Sequence, residues 1–312
     1  MEKRGKRVWE AIDINKIYFD ASVIVPVFNQ MESLRTTLQY FSFQQYPSNK
    51  YEIIVVDDGS TDGLMESIEE DAWPSLACKI KYIRQEHQGR AVARNTGVAA
   101  AKGERLIFCD ADRFPDVNFV KYHVERTLGS GSVAIIGCPW EFFGSRKYLS
   151  TSNKDTQLIQ KYSRQPMYYT RIQKLYDLNG YTNSGIAWAS FLIGNSSVRR
   201  KDFYKVGGFD KEFKFWGFEH FQFALRLQKC GVTFQNMYDV SNFHLPHRIE
   251  AGYQEAMIEA GTQLLKKINP HYNFDSFKNY CFGEISLQEF ELRFCGTLSS
   301  QLKDLEPVLI KW

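Results

Sequence analysis

No stretch of this chain approaches the roughly 20 consecutive apolar residues needed to cross a bilayer, and the charged start MEKRGKR is not followed by the apolar core of a secretory signal. No transmembrane segment is expected; a cytoplasmic setting is, with peripheral membrane contact left open. Cysteine is sparse too. The six residues at 78, 109, 138, 230, 281 and 295 lack CxxC spacing, so neither a zinc knuckle nor a disulfide framework is indicated and reduced, mostly buried thiols are expected. Charge of one sign is not in excess. A net charge of +3 over 312 residues is too small to argue for a nucleic-acid surface, so no nucleic-acid partner is expected and residues 1–20 read as a solvated tail. What is present, 44% hydrophobic and 24% charged residues, suits a globular chain with one large core or two modest ones.

The first 140 residues alternate strand-like and helix-like patterns. ASVIVPVF (21–28), YEIIVV (51–56), KIKYI (79–83), ERLIFC (104–109) and SVAIIG (132–137) read as strands. MESLRTTLQYF (31–41), residues 62–70 and GRAVARNTGVAAA (89–101) read as helices between them. This predicts an α/β fold with a mostly parallel, Rossmann-like sheet covered by helices on both faces. Residues 141–190 lose the alternation and become rich in Tyr, Ser, Gln and Asn, as in a loop-rich excursion. Regularity returns with FLIGNSSV (191–198), the turn GGFD (207–210), a helix over 218–231 ending at a C-cap glycine, a strand-like run over 232–239 and a helix near 250–267. Residues 268–312 carry no assigned role. The expected division is 1–20, 21–140, 141–250 and a helical extension over 251–312.

Ligands of such sheets gather outside the carboxyl ends of the strands. Four consecutive strand ends carry polar groups there: VFN, DDGSTD, the EHQG stretch and DAD. Asp110 and Asp112, one residue apart after ERLIFC, would share a face of an extended strand and could meet one cation. A solvated turn in which Asp110 bonds the backbone is the competing reading. The acids of DDGSTD likewise suit turns and helix caps. His244 and His247, in NFHLPHR, could supply an imidazole ligand, which favours Mn²⁺ over Mg²⁺. In FKFWGFEHF, Trp216 offers an apolar platform, and Glu219 and His220 are both capable general bases. Alternatively, Glu219 complements the helix dipole and His220 is a bystander.

Together these motifs resemble the inverting glycosyltransferases of family 2, whose fold is called GT-A. VIVPVFN, VVDDGSTD, GRAVARNTGVAAAKGE and LIFCDADR carry the resemblance in the first half. GGFDKEFKFWGFEH and FHLPHR resemble the galactosyltransferase-type module of chondroitin-polymerase-like enzymes. The match spans roughly residues 21–250. The resemblance implies a UDP-sugar donor, with Pro26 and Phe28 bordering the nucleobase, Asp58 accepting a hydrogen bond from uracil, and His87 and Arg94 as weaker contacts. It places Asp110 near ribose and metal, Asp112 and His244 on a Mn²⁺ or Mg²⁺ ion with His247 as rival, and Trp216 against the donor sugar or acceptor. The family's catalytic base is usually Asp; here that position is His220, preceded by Glu219. Either His220 is the base, or Glu219 has taken over, or activity is partly lost.

The implied activity is a metal-assisted single displacement that inverts the sugar, onto an acceptor that is a glycan, a peptide or a small molecule. Two alternatives compete. A silent sugar-nucleotide-binding module is motivated by the missing Asp at position 220. A nucleotidyltransferase would need a glycine- and lysine-rich loop after the first strand, and VPVFNQMES contains no glycine.

Overall fold

The computed structural model describes residues 16–70, 73–126, 131–145, 149, 156–214, 217–246 and 250–303. The first half runs β1 (Phe19–Val27), α1 (Met31–Phe41), β2 (Tyr51–Asp57), α2 (Leu64–Glu69), β3 (Lys79–Arg84), α3 (Arg90–Ala100) and β4 (Gly103–Cys109). The second half runs β5 (Arg113–Pro115), α4 (Phe119–Glu125), β6 (Val133–Phe142), α5 (Thr156–Lys161), β7 (Ser163–Arg164), α6 (Met167–Ile172), β8 (Asn195–Arg199), α7 (Arg200–Val206), α8 (Glu219–Lys229) and β9 (Thr233–His244). Among the described residues, four helices follow: α9 (Tyr253–Ile268), α10 (Phe274–Cys281), α11 (Leu287–Cys295) and α12 (Ser300–Lys303).

Among the described residues all strands join one sheet in the order β3-β2-β1-β4-β8-β6-β9-β5, with β7 added beside β6. The βαβ units make β1 to β4 mutually parallel, as the alternation predicts. Beyond β4 the sheet is mixed: β8 runs antiparallel to β4 and β6, β9 is parallel to β6, and β5 is antiparallel to β9. Parallelism is therefore confined to the first half and to the β6–β9 pair.

The central strands are apolar without a break because both faces are covered. Ile24, Ile54, Val56, Leu106 and Phe108 turn to one core with α3, α7 and α8, while Val23, Val25, Ile53, Val55 and Ile107 turn to the other with α1 and α4. The small residues of α3 let the helix lie close to the sheet. A Cβ on Gly97 would fall 2.6 Å from Cγ2 of Ile24, so only glycine permits this approach.

Residues 141–190 depart from the expected excursion. They carry α5, β7 and α6, and the 3-10 turn Ala187–Ser190 enters the interior. Trp188 is fully buried there, ringed by Phe221, Phe274, Phe277, Phe290 and Phe294 at centroid distances of 4.9–6.2 Å. Those partners explain the unassigned C-terminus, since α10 and α11 cover the tryptophan. Their burial supplies about 1.5–3 kcal/mol per large apolar side chain. Residues within 141–190 and 268–312 meet only through tertiary packing, so neither segment shows its role when read alone. All six cysteines are free, and four are buried. Among the described residues, no helix is long and apolar enough to cross a membrane.

Candidate active site

The carboxyl ends of β1 to β4 converge as the topology requires, but many of their polar groups serve the chain itself. Asp57 Oδ1 accepts from the Ser60 amide at 2.8 Å, and Asp62 Oδ2 accepts from the Met31 amide at 2.8 Å, at the start of α1. Asn29 sits in the left-handed region at φ +53° and accepts from the Thr61 amide at 2.7 Å. The turn and cap reading of DDGSTD thus accounts for Asp57 and Asp62.

Asp58 also binds the chain. Oδ1 accepts from Gln85 Nε2 at 2.7 Å and the Gln88 amide at 3.0 Å, while Oδ2 accepts from the Gly89 amide at 2.8 Å and lies 3.0 Å from His87 Nδ1. The carboxylate is buried, and these contacts order the 85–89 loop. One product of that order is an exposed platform: the rings of Phe28 and His87 stack at 4.1 Å with 27° between planes. Pro26, half-buried, pairs with Val56 just below.

The two carboxylates of DAD take different partners in this structure. β4 ends at Cys109, and the Arg113 amide donates to the Asp110 carbonyl at 3.0 Å, closing a turn in which strand alternation no longer holds. Asp110 Oδ1 accepts from Arg94 at 2.8 Å. A Cβ on Gly194 would fall 2.8 Å from Asp110 Oδ2, so glycine lets the turn before β8 pass over this carboxylate. Asp112 points elsewhere: its Oδ2 accepts from Gln30 Nε2 at 3.0 Å and lies 3.4 Å from His244 Nε2.

His244 ends β9, and its Nδ1 lies 2.6 Å from Oε2 of Glu141 on β6. Burial alone raises the Asp112 carboxyl, but hydrogen bonding and charge from His244, with Arg113 and Gln30, outweigh it and hold Asp112 well below the usual range. Burial and Arg113 push His244 down, and the flanking carboxylates Asp112 and Glu141 reverse this, leaving it raised. His247 and Trp216 lie outside the described residues.

Arg94, expected as a weaker contact to the donor, lies among carboxylates of the chain itself. It is 1% exposed and joins two carboxylates, Asp110 and Glu219, the latter at 2.7 Å. Burial lowers the guanidinium, the two carboxylates raise it, and the carboxylates prevail. Burial likewise raises Glu219, but His220, Arg94 and Arg90 hold it ionised far below the usual range. Among the described residues, Glu219 Oε2 and His220 Nδ1 are buried without a hydrogen-bond partner.

Both residues open α8 behind Phe218, whose φ of +70° is unusual for a bulky side chain. Among the described residues, Asn29 and Phe218 are the non-glycine positions with positive φ, and both flank this site. Strain of this kind, roughly 1–3 kcal/mol each, gathers where side chains must be aimed. Glu141 and Gln30 were not candidates in the sequence. Glu141 lies where the alternation fails, and nothing local in CPWEFFG marks it.

The fold is that of the GT-A glycosyltransferases. The TarS 1–349 structure from S. aureus superposes with a TM-score of 0.58 at 17% identity, over 88% of this chain and 71% of that one. A second TarS structure holds UDP-GlcNAc, with a TM-score of 0.57 at 18% identity over 85% of this chain and 71% of that one. The chain belongs to Glycosyl transferase family 2, which it matches over residues 22–203, and residues 181–248 match the N-terminal domain of galactosyltransferase.

Among curated relatives, the uncharacterized glycosyltransferase YfnE of Bacillus subtilis is 28% identical over 73% of this chain and 65% of its own length. The chondroitin synthase of Escherichia coli is 27% identical over 72% of this chain and 34% of its own length. The chain thus spans less than two thirds of either relative.

Proposed function

We propose that the protein moves a sugar from a UDP-sugar to an acceptor nucleophile in one inverting displacement assisted by Mn²⁺ or Mg²⁺. The observation that carries this reading is the pair Asp112 Oδ2 and His244 Nε2, 3.4 Å apart at the carboxyl edge of a family 2 domain. One carboxylate oxygen and one imidazole nitrogen suit Mn²⁺ or Mg²⁺, with substrate oxygens and water completing the shell. Asp112 and His244 would hold the ion, with His247 as the rival histidine. When bound, it offsets negative charge developing on the leaving diphosphate.

The exposed Phe28–His87 stack, bordered by Pro26, offers a π-face to the nucleobase. Uridine is favoured by the fold shared with TarS, which has been captured with UDP and with UDP-GlcNAc. Asp110, oriented by Arg94, would meet the ribose, and Trp216 the donor sugar or acceptor. Residues 21–140 would carry the donor, and 141–250 the acceptor and base. A glycan acceptor is favoured over a peptide or small molecule by the chondroitin synthase relatives.

His220 is the better base. Glu219 is almost fully buried and held ionised by its neighbours, including Arg94, so its carboxylate is a weak proton acceptor. The imidazole of His220 stands at the same helix start, and imidazole is the side chain most often used as a general base.

The test begins with calorimetric titration of UDP with and without Mn²⁺, repeated on Asp112→Ala; cation-dependent binding should be lost in the variant. UDP-sugar turnover should then fall about 10²–10⁴-fold in His220→Ala with UDP affinity unchanged. Loss in Glu219→Gln but not in His220→Ala would move the base to Glu219. Absence of UDP binding at any metal concentration would end the uridine reading.

A further inference from the structure

Glu141 stands at the proposed cation pair without an assigned part. Its Oε2 is 2.6 Å from His244 Nδ1, while the other ring nitrogen, Nε2, is 3.4 Å from Asp112 Oδ2. The imidazole therefore stands between two carboxylates, which keeps Glu141 from joining Asp112 on one ion. Consistently, no three His, Cys, Asp or Glu side chains among the described residues are grouped to hold a metal.

The sheet builds this contact deliberately. β6 and β9 run parallel with Gly137 opposite Met237, then the register shifts so that Cys138 opposes Ser241 and Glu141 opposes His244. In the unshifted register, Glu141 would lie opposite Ser241. On its other side, β9 pairs with β5, where Arg113 is the residue opposite His244. Backbone pairing fixes where His244 stands but not how its ring turns. Glu141 contacts the ring at Nδ1.

We propose that Glu141 is a positioning residue for the cation site: it accepts the hydrogen bond from Nδ1–H of His244 and so fixes the ring and tautomer that present Nε2 beside Asp112. A carboxylate behind a ligating imidazole orients it and strengthens it as a donor, and such partners change metal affinity about 10–100-fold. Glu141 does not itself touch the ion. The inference rests on the reading of Asp112 and His244 as ligands.

The experiment is a Mn²⁺ titration in the presence of UDP, followed by the electron paramagnetic resonance signal of free Mn²⁺. It compares the unmodified protein with Asp112→Ala, His244→Ala, Glu141→Gln and Glu141→Ala. The two ligand variants should lose saturable binding. Glu141→Gln should bind about 10-fold more weakly and Glu141→Ala up to about 100-fold, because a neutral amide holds the imidazole less strongly than a carboxylate and a methyl group not at all.

A second readout separates positioning from a general packing defect. The ¹⁵N shifts of the His244 ring with Mg²⁺ and UDP should report one tautomer in the unmodified protein and a mixture in Glu141→Ala. Unchanged Mn²⁺ affinity and a single tautomer in the Glu141 variants, with binding lost in the ligand variants, overturns the role of Glu141 alone. Unchanged binding in all four variants overturns the cation reading and this inference with it.

Discussion

Two charged clusters lie at the carboxyl edge of one sheet, and they are built in opposite ways. Around Arg94, a guanidinium shielded from water holds Asp110 and Glu219 at 2.8 and 2.7 Å. Around His244, the contacts reach solvent, with side chains of His244 and Glu141 exposed by 16% and 21%. A buried ion pair cannot lose one member without stranding the other, so the first cluster behaves as a rivet between α3, β4 and α8. The second has its histidine and Glu141 at an edge that solvent reaches, as the proposed exchangeable cation site would require. Burial of the central group separates the two clusters, since the Arg94 side chain is 1% exposed and that of His244 16%, although the Asp110 side chain is itself 28% exposed.

The sharpest way to break this contrast is to remove the rivet. Arg94→Met should cost about 3–5 kcal/mol of folding stability, read from urea denaturation midpoints, because Glu219 is left buried without its guanidinium partner. A loss below 1 kcal/mol would mean the cluster is no rivet.

Acid sharpens the contrast next, through a group that refuses charge. His123 is fully buried between Ser197 and Asn195, at 3.0 and 3.2 Å, and burial, with Arg105 adding to it, lowers its pKa to about 3. Its unfolded value is about 6.5. The unfolded chain therefore binds the extra proton, and the stability that neutral His123 contributes is complete above about pH 6.5 and lost as pH falls towards 3. The loss should reach on the order of 4 kcal/mol by pH 3. Urea midpoints should fall between pH 6.5 and 4, where the low-lying carboxylates of Asp112 and Glu219 remain charged, and His123→Gln should flatten that limb. A flat limb in the unmodified protein would remove His123 from the account.

The smallest effect lies on the open side. Phe28→Ala should leave stability nearly unchanged but weaken UDP binding by about 1–3 kcal/mol, the usual worth of an aromatic platform under a base. Equal loss of stability and binding would show the Phe28–His87 stack to be packing, not platform.

The contrast also explains what could be read in advance. The strands and helices of the first half follow from local patterns, since each βαβ unit buries its own apolar run. FCDADRF stood out because carboxylates after an apolar strand are conspicuous. Their destinations were not legible. Alternation suggested a shared face for Asp110 and Asp112, but the chain leaves extended geometry at Asp110, and the two diverge to Arg94 and His244. Asp58 read as a nucleobase acceptor because nothing local shows that the 85–89 loop folds back and uses its oxygens. Arg94 read only as a weaker contact to the donor because its partner Glu219 is 125 residues away.

From sequence alone came the α/β class, the parallel first half, the strand ends as the working edge and the residues with chemistry to offer. These rest on periodicity and on turn-forming residues, which act over a few positions. Tertiary structure decided which carboxylate meets Arg94 and which meets His244, that Glu141 stands behind His244, and that Trp188 draws the C-terminal helices onto the domain. Those outcomes depend on register between distant strands and on burial, and both exist only after the sheet has closed.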